Sequence, residues 1–341
     1  MKKRLLSILL MCCMVLTLLP TAAFAEESTE TPPVCSCETA CTAENMNRAC
    51  PVCGAEDALP ENCARCEVSD PQPEATLTAL IGGSETAKEV STEDELTKAI
   101  ADVNFDTVKL AADISISSSL TVNRAVTLDL NGYVLKYESA NMGSVIVVES
   151  GGQLTIEDSN TSNLSHKFNP NGKLWVLDEA SGTETVTGGV ITGGTGTDIS
   201  TFGGTTWYCG GALIKNGGSL TMRGGNIIGC SAVYGGGVCI DPEQGQFSMS
   251  GGSIAGCVAS DIGGGVFASG TFKMSGQAVI RSCAVESATQ FVCGGGVYVN
   301  GSSSFKMSDT AIIKGCQAIS NSSYSSNGGV YVSSGSSFVM S

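Results

Sequence analysis

A glycine-rich motif that returns at uneven intervals constrains this chain more than any other sequence feature. Gly-Gly-Gly-Val or a near variant occupies residues 235–238, 263–266, 294–297 and 328–330. Methionines keep the same rhythm, with spacings of 27, 25, 33 and 33 residues, at Met222, Met249, Met274, Met307 and Met340. A constant core with loops of variable length is typical of a solenoid, in which each coil is stable only when it stacks on its neighbours.

Four cysteines occupy equivalent positions in successive repeats. Each ends an Ile-x-x-Cys segment, and they are Cys230, Cys257, Cys283 and Cys316. In a stacked column they would either form disulfides or a metal site, or fill a corner of the core as small apolar side chains. The apolar interpretation is favoured, because in-register neighbours on parallel strands are poorly oriented for a disulfide.

Alternating segments predict further strands before the clear repeats begin. Apolar and polar residues alternate over residues 108–110, 120–122 and 126–130, as they do in half-buried strands. Together with the Val, Phe, Met, Ile and Cys positions of the repeats, they predict an all-β fold, a parallel β-helix solenoid. Crossover connections between parallel strands favour a right-handed winding.

The repeat resembles that of a known family of surface proteins. Gly-Gly-(Ala/Gly)-(Val/Leu), then Phe-x-Met-Ser and Ile-x-x-Cys, is similar to the repeat of the bacterial polymorphic outer-membrane proteins and related pectate-lyase-like β-helix proteins. That family pairs Gly-Gly-Ala-Ile with Phe-x-x-Asn, and this chain has Cys where the family has Asn. The resemblance is close over residues 210–341 and loose over 105–209. It implies exposure on a bacterial surface and a role in adhesion.

Composition divides the chain into five regions. We predict a signal peptide at 1–25, a Cys-rich segment at 26–69, a linker at 70–90, a capping helix at 91–104 and the β-helix at 105–341. The signal is indicated by Lys2, Lys3 and Arg4, followed by an apolar stretch and the small residues around Phe24. Its removal would change the net charge from −15 to −18. Such an acidic exterior disfavours nucleic acid as a partner.

The predicted helix carries both a start signal and an apolar stripe. Thr92 and Glu95 have the spacing of a capping box. The apolar residues that follow fall on one helical stripe and are Leu96, Ala99, Ile100 and Val103. We expect this helix to cover the N-terminal end of the solenoid, where open strand edges would otherwise promote aggregation.

The N-terminal cysteines allow two interpretations. Cys50 with Cys53 and Cys63 with Cys66 form two C-x-x-C pairs nine residues apart. Four thiolates at such spacing can hold Zn²⁺ in a tetrahedral site. In a secreted chain the same cysteines could instead form disulfides. The residues leave both alternatives open, and no other cofactor is predicted.

Two outward sets of residues are candidates for ligand binding. The middle residues of the Val-x-Val segments should face solvent, and their aromatic members are Phe267, Tyr298 and Tyr331. Basic residues also recur one coil apart, as Lys273 with Lys306 and Arg281 with Lys314. The aromatic residues could bind sugar rings and the cations an acidic glycan, or both sets could be ordinary sheet surface.

The sequence contains no arrangement that identifies an enzyme. His166 is the only histidine, and the acidic residues of the repeats do not form a recurring pair. We therefore expect a secreted or cell-surface bacterial protein of adhesin type that binds an extracellular glycan or protein without catalysis. A carbohydrate-active enzyme and a passive stalk are the alternatives. The last repeat stops before its Ile-x-x-Cys segment. We therefore expect further coils and an anchor in a missing C-terminal part, and no membrane span after signal cleavage.

Overall fold

The computed structural model describes residues 87–341 except 161, 163, 203–204, 242–243, 288–291 and 321–326. All described residues belong to one compact unit, residues 82–341. The predicted signal peptide, the Cys-rich segment and the linker up to residue 86 lie outside the described residues. Zinc or disulfide bonding at Cys50, Cys53, Cys63 and Cys66 therefore stays a prediction.

Three parallel sheets run the length of the described chain, and each coil contributes one strand to each sheet in turn. Sheet I contains β1 (Lys88–Val90), β2 (Thr107–Leu110), β5 (Ala125–Asp129), β8 (Gln153–Glu157), β16 (Ser219–Met222), β20 (Gln246–Met249), β24 (Thr271–Met274), β28 (Ser304–Met307) and β32 (Ser337–Met340). Sheet II contains β3 (Ile114–Ile116), β6 (Val134–Tyr137), β12 (Val190–Thr192), β17 (Asn226–Ile228), β21 (Ser253–Ala255), β25 (Val279–Arg281) and β29 (Ile312–Lys314). Sheet III contains β4 (Leu120–Val122), β7 (Ile146–Val148), β15 (Ala212–Ile214), β19 (Val238–Ile240), β23 (Val266–Ala268), β27 (Val297–Val299) and β31 (Val330–Val332). The predicted parallel β-solenoid is confirmed.

The core consists of side-chain columns that run through successive coils. The five methionines pair in register along sheet I, as predicted. Two residues before each of the last four methionines is a phenylalanine, and the rings of Phe247, Phe272, Phe305 and Phe338 stack with centroids 4.5–5.0 Å apart. The isoleucines of the Ile-x-x-Cys segments pair in the same way along sheet II. The columns inside the solenoid are thus buried by stacking each coil on its neighbours.

A short helix closes the N-terminal end of the solenoid. Helix α1 (Glu93–Ala101) lies against the first strands of all three sheets, and Leu96, Ala99 and Ile100 are buried there. Its start matches the capping prediction, since the Thr92 side chain accepts from the Glu95 amide. The Glu95 carboxylate accepts from the amide of Ser91.

The predicted bounds of the N-terminal elements need correction, and the helix begins at Glu93 rather than at residue 91. The helix ends at Ala101 rather than at residue 104, because Asp102 adopts extended backbone and forms its C-cap. Val103 therefore leaves the apolar stripe and is exposed. Residues 88–90 belong to β1 and pair with β2, so the end of the predicted linker is the first strand of sheet I.

A fourth parallel sheet lies between each column cysteine and the next glycine cluster, where the repeats differ most in length. Sheet IV contains β18 (Ser231–Tyr234), β22 (Val258–Ile262), β26 (Ala284–Ser287) and β30 (Gln317–Ser320). The glycines after it return the chain to sheet III in close contact with the next coil. A Cβ atom on Gly237 would lie 2.6 Å from the carbonyl oxygen of Gly265, which leaves room for glycine alone.

Two antiparallel insertions add material to the outside of the solenoid. The first, residues 165–187, contains β9 (Ser165–Asn171), β10 (Leu174–Leu177) and β11 (Glu184–Thr187) and is called the flap below. Its Phe168, Trp175 and Val186 pack on the outer face of sheet II. The second insertion is a hairpin of β13 (Thr197–Phe202) and β14 (Thr205–Cys209).

Candidate functional site

The outer face of sheet III differs from the prediction that its middle residues face solvent. Leu213, Cys239 and Phe267 are buried there. Tyr234 of sheet IV covers Phe267, with ring centroids 5.7 Å apart, and Ile262 packs against the same cluster. The prediction is wrong for these three positions, because Tyr234 and Ile262 of sheet IV and Cys209 of the hairpin pack against them.

A disulfide that the sequence did not indicate reinforces this outer layer. Cys209 at the end of the hairpin is bonded to Cys239 of the next coil, with Cα atoms 5.5 Å apart. Neither residue belongs to the Ile-x-x-Cys column, and the two are 30 positions apart in the sequence, about one coil. The pair forms because the hairpin ends beside sheet III, a contact between segments that no repeat relates.

The same column continues along sheet III with two half-buried residues, Tyr298 and Tyr331, which we call the tyrosine ladder. The Tyr298 ring stacks on Phe267 at 5.7 Å and on Tyr331 at 5.0 Å, with interplanar angles of 16° and 18°. Both faces of Tyr298 are therefore covered. The ring can offer a ligand its edge and its hydroxyl group, not a flat face for a sugar to stack on.

The groups around the ladder favour hydrogen bonding over chemistry. Burial, followed by the charge of Asp261, raises the pKa of Tyr234 to about 12. Burial also raises the pKa of Tyr298 to about 12, and the neighbouring Cys293 adds to the effect. Burial likewise raises the pKa of Asp261, whose carboxylate accepts a hydrogen bond from Tyr234. At neutral pH Tyr234 and Tyr298 thus carry neutral hydroxyl groups beside the carboxyl group of Asp261.

The basic residues lie in register as predicted. Lys273 pairs with Lys306 on sheet I, and Arg281 pairs with Lys314 on sheet II. Among the described residues, neither lysine of the sheet I pair has a carboxylate within ion-pair distance.

Earlier coils place opposite charges on neighbouring strands instead. Lys215 lies 2.8 Å from Glu149, and Arg223 lies 2.7 Å from Glu157. Like charges one coil apart repel, so the C-terminal cations cost stability where the earlier pairs add to it.

The cysteine column forms a row of thiols inside the solenoid. Cys230, Cys257 and Cys283 are buried and Cys316 is partly buried, and all four are free thiols. Each of the last three contacts the carbonyl oxygen of the isoleucine one coil before it, for example Cys257 Sγ to Ile227 O at 3.7 Å. Burial raises the pKa of Cys283 well above its usual value, and its thiol neighbours raise it further. The favoured interpretation as small apolar core residues agrees with this burial.

His166 connects the flap to the solenoid. Its Nδ1 lies 2.8 Å from Oε1 of Glu179, and its Nε2 lies 2.8 Å from the carbonyl oxygen of Gly132. The first contact lies within the flap, and the second joins the flap to the solenoid. Both ring nitrogens therefore have a structural partner.

The described part of the chain contains neither a metal-binding cluster nor a membrane-spanning helix. No group of three or more His, Cys, Asp or Glu side chains there is arranged to hold a metal ion. None of its helices is long and apolar enough to span a membrane.

Comparison with known proteins gave no match. No family model matches the chain, and neither the curated proteins nor the solved structures include one significantly similar to it.

Proposed function

We propose that this chain is a secreted bacterial surface protein that binds an extracellular glycan or protein through its outer layer, without catalysis. The observation that carries the proposal is the tyrosine ladder, whose two rings are half-buried and stack on each other and on Phe267. Tyrosine combines a large rigid contact surface with a polar group at low entropic cost, which is why it is frequent in binding surfaces.

The rest of the molecule supports a scaffold of this kind. From β18 onward each coil adds one strand to sheet IV and one to sheet III, so that the outer layer is an extended surface and not an enclosed pocket. Extended solenoid surfaces are suited to long partners such as polysaccharides or protein segments. The leader-like N-terminus and the acidic composition fit an extracellular protein.

The test is binding of the full chain to a printed array of neutral, uronic-acid and sialylated glycans and to immobilised extracellular-matrix proteins. Tyr298→Phe with Tyr331→Phe keeps the stacked rings and removes both hydroxyl groups, so we expect binding to fall while the fold is retained. Tyr133→Phe is the matched control, since Tyr133 is a half-buried tyrosine far away in the N-terminal coils.

Three outcomes would contradict the proposal. Equal binding by the wild type and the double Phe variant would exclude the ladder as the contact surface. Absence of any binding partner would favour a passive stalk. Release of reducing or unsaturated sugars from a uronate polymer would make the chain an enzyme.

A further inference from the structure

A cleft lies between the end of the flap and the solenoid, and neither tyrosine of the ladder lines it. The flap contributes Lys173, Trp175 and Glu184, and the solenoid contributes Ser282 and Gln317. Arg281 borders the cleft, because its guanidinium group lies 4.7 Å from the centroid of the Trp175 ring. We call this space the flap cleft.

The charge of the flap cleft is opposite to that of the whole chain. Lys173 lines the cleft and Arg281 borders it, and Glu184 is the one acidic residue among the lining residues. Lys314 is a third cation, in register with Arg281 on the next strand of sheet II. None of the three cations forms an ion pair with a described residue. In a chain of net charge −15, this concentration of unpaired cations would attract an anionic group.

The backbone beside the cleft is strained at one residue, which is a second indication of function. The residue before each column cysteine adopts a positive φ angle, and it is glycine at Gly229, Gly256 and Gly315. In the coil that forms the cleft it is Ser282, with φ of 53°. A side chain in this conformation costs of order 1 kcal/mol, and such strain is concentrated at functional sites. The substitution places a hydroxyl group where the other coils have only hydrogen.

Trp175 fixes the flap to the solenoid at the cleft and holds Arg281 in place beside it. Its amide donates to the carbonyl oxygen of Gly256 at 3.0 Å, and its ring is almost fully buried between the solenoid and Arg281. The stacking holds the guanidinium group in place, so that less side-chain entropy is lost when it binds a carboxylate.

We propose that the flap cleft binds a carboxylated sugar residue of an acidic glycan. The cations would hold the sugar carboxylate, while Glu184, Ser282 and Gln317 would bond to its hydroxyl groups. Each uronic-acid sugar carries, beside its carboxylate, hydroxyl donors that Glu184 can accept from, whereas a glutamate side chain carries none, so the glycan is favoured over an anionic peptide. The proposal concerns a surface separate from the tyrosine ladder and does not depend on it.

The experiment is calorimetric titration of the full chain with a galacturonate hexamer, with maltohexaose and a hexaglutamate peptide as comparison probes. We expect the galacturonate hexamer alone to bind, and its affinity to fall with added salt because the contact is electrostatic. Lys173→Gln with Arg281→Gln should weaken binding at least tenfold. Lys273→Gln with Lys306→Gln removes the same charge from sheet I and should leave the affinity within twofold.

Further variants separate binding from folding. Lys173→Gln alone leaves the stacking of Arg281 on Trp175 in place, and it should still weaken binding severalfold with an unchanged melting temperature. Ser282→Gly should relieve the backbone strain, raise the melting temperature and weaken binding. Equal losses in the cleft and control variants, equal binding of hexaglutamate, or no binding of the galacturonate hexamer would each overturn the proposal. A ladder variant that still binds this hexamer would separate this site from the one proposed above.

Discussion

Replacing Gly237 by alanine tests whether the glycine motif exists because coils approach each other too closely for a side chain. The added Cβ atom would lie 2.6 Å from the carbonyl oxygen of Gly265 and 2.6 Å from Cγ2 of Ile254. The backbone of Gly237 is not left-handed, so the cost comes from these contacts and not from conformation.

The expected size of this effect follows from two opposing contributions. Overpacking of this kind costs typically about 1–3 kcal/mol. The loss of glycine flexibility in the unfolded chain returns about 0.4–1 kcal/mol. We therefore expect Gly237→Ala to lower the free energy of unfolding by roughly 1–2 kcal/mol.

Gly329 provides the matched control, because it has the equivalent motif position and no atom within 4 Å of its Cβ position. Gly329→Ala should be neutral or slightly stabilising. Urea titration followed by circular dichroism measures both, and Gly237→Ala should lower the midpoint by roughly 0.5 M. If the two variants had the same midpoint, close coil approach would not be the reason for the motif.

Three further predictions concern the cap, the thiols and the tyrosines. Thr92→Ala removes the acceptor for the Glu95 amide and should cost about 1 kcal/mol of unfolding free energy; an unchanged urea midpoint would show that α1 needs no cap. Cys283 should resist iodoacetamide in the native protein and react after unfolding, because burial raises its pKa. Mass spectrometry of the peptides measures the labelling, and a labelled Cys283 in the native protein would contradict this prediction. Tyr234 and Tyr298 should ionise near pH 12 instead of near 10. Their raised pKa values stabilise the fold below about pH 10, and this contribution is lost as the pH rises to 12. Ultraviolet absorbance titration would refute this if both tyrosines ionised near pH 10.

The sequence predicted the parts of the fold that repeat. The methionine and isoleucine columns pair as their spacing indicated, because burial against identical neighbours forces the same residue types into the same positions. The cap was also predictable, since Thr92 and Glu95 act locally within one helical turn.

The parts that do not repeat could not be read in this way. Phe267 follows the strand pattern of an exposed residue, and only sheet IV, which folds over it, makes it buried. The Cys209–Cys239 bond and the contact of Trp175 with Arg281 depend on insertions whose partners are distant in sequence. A contact that occurs once leaves no periodic pattern in the sequence. Both candidate sites therefore differ from the surface columns that the repeats predicted.

The direction of the backbone hydrogen bonds has a mechanical consequence. In every parallel sheet these bonds point along the stack of coils, so a pull along that axis loads the junctions between coils in series, and the weakest junction opens first. The Cys209–Cys239 bond crosses one such junction covalently, between β15 and β19. Under tension the chain on either side would lengthen coil by coil while this pair of coils stayed joined, and reduction would remove that difference.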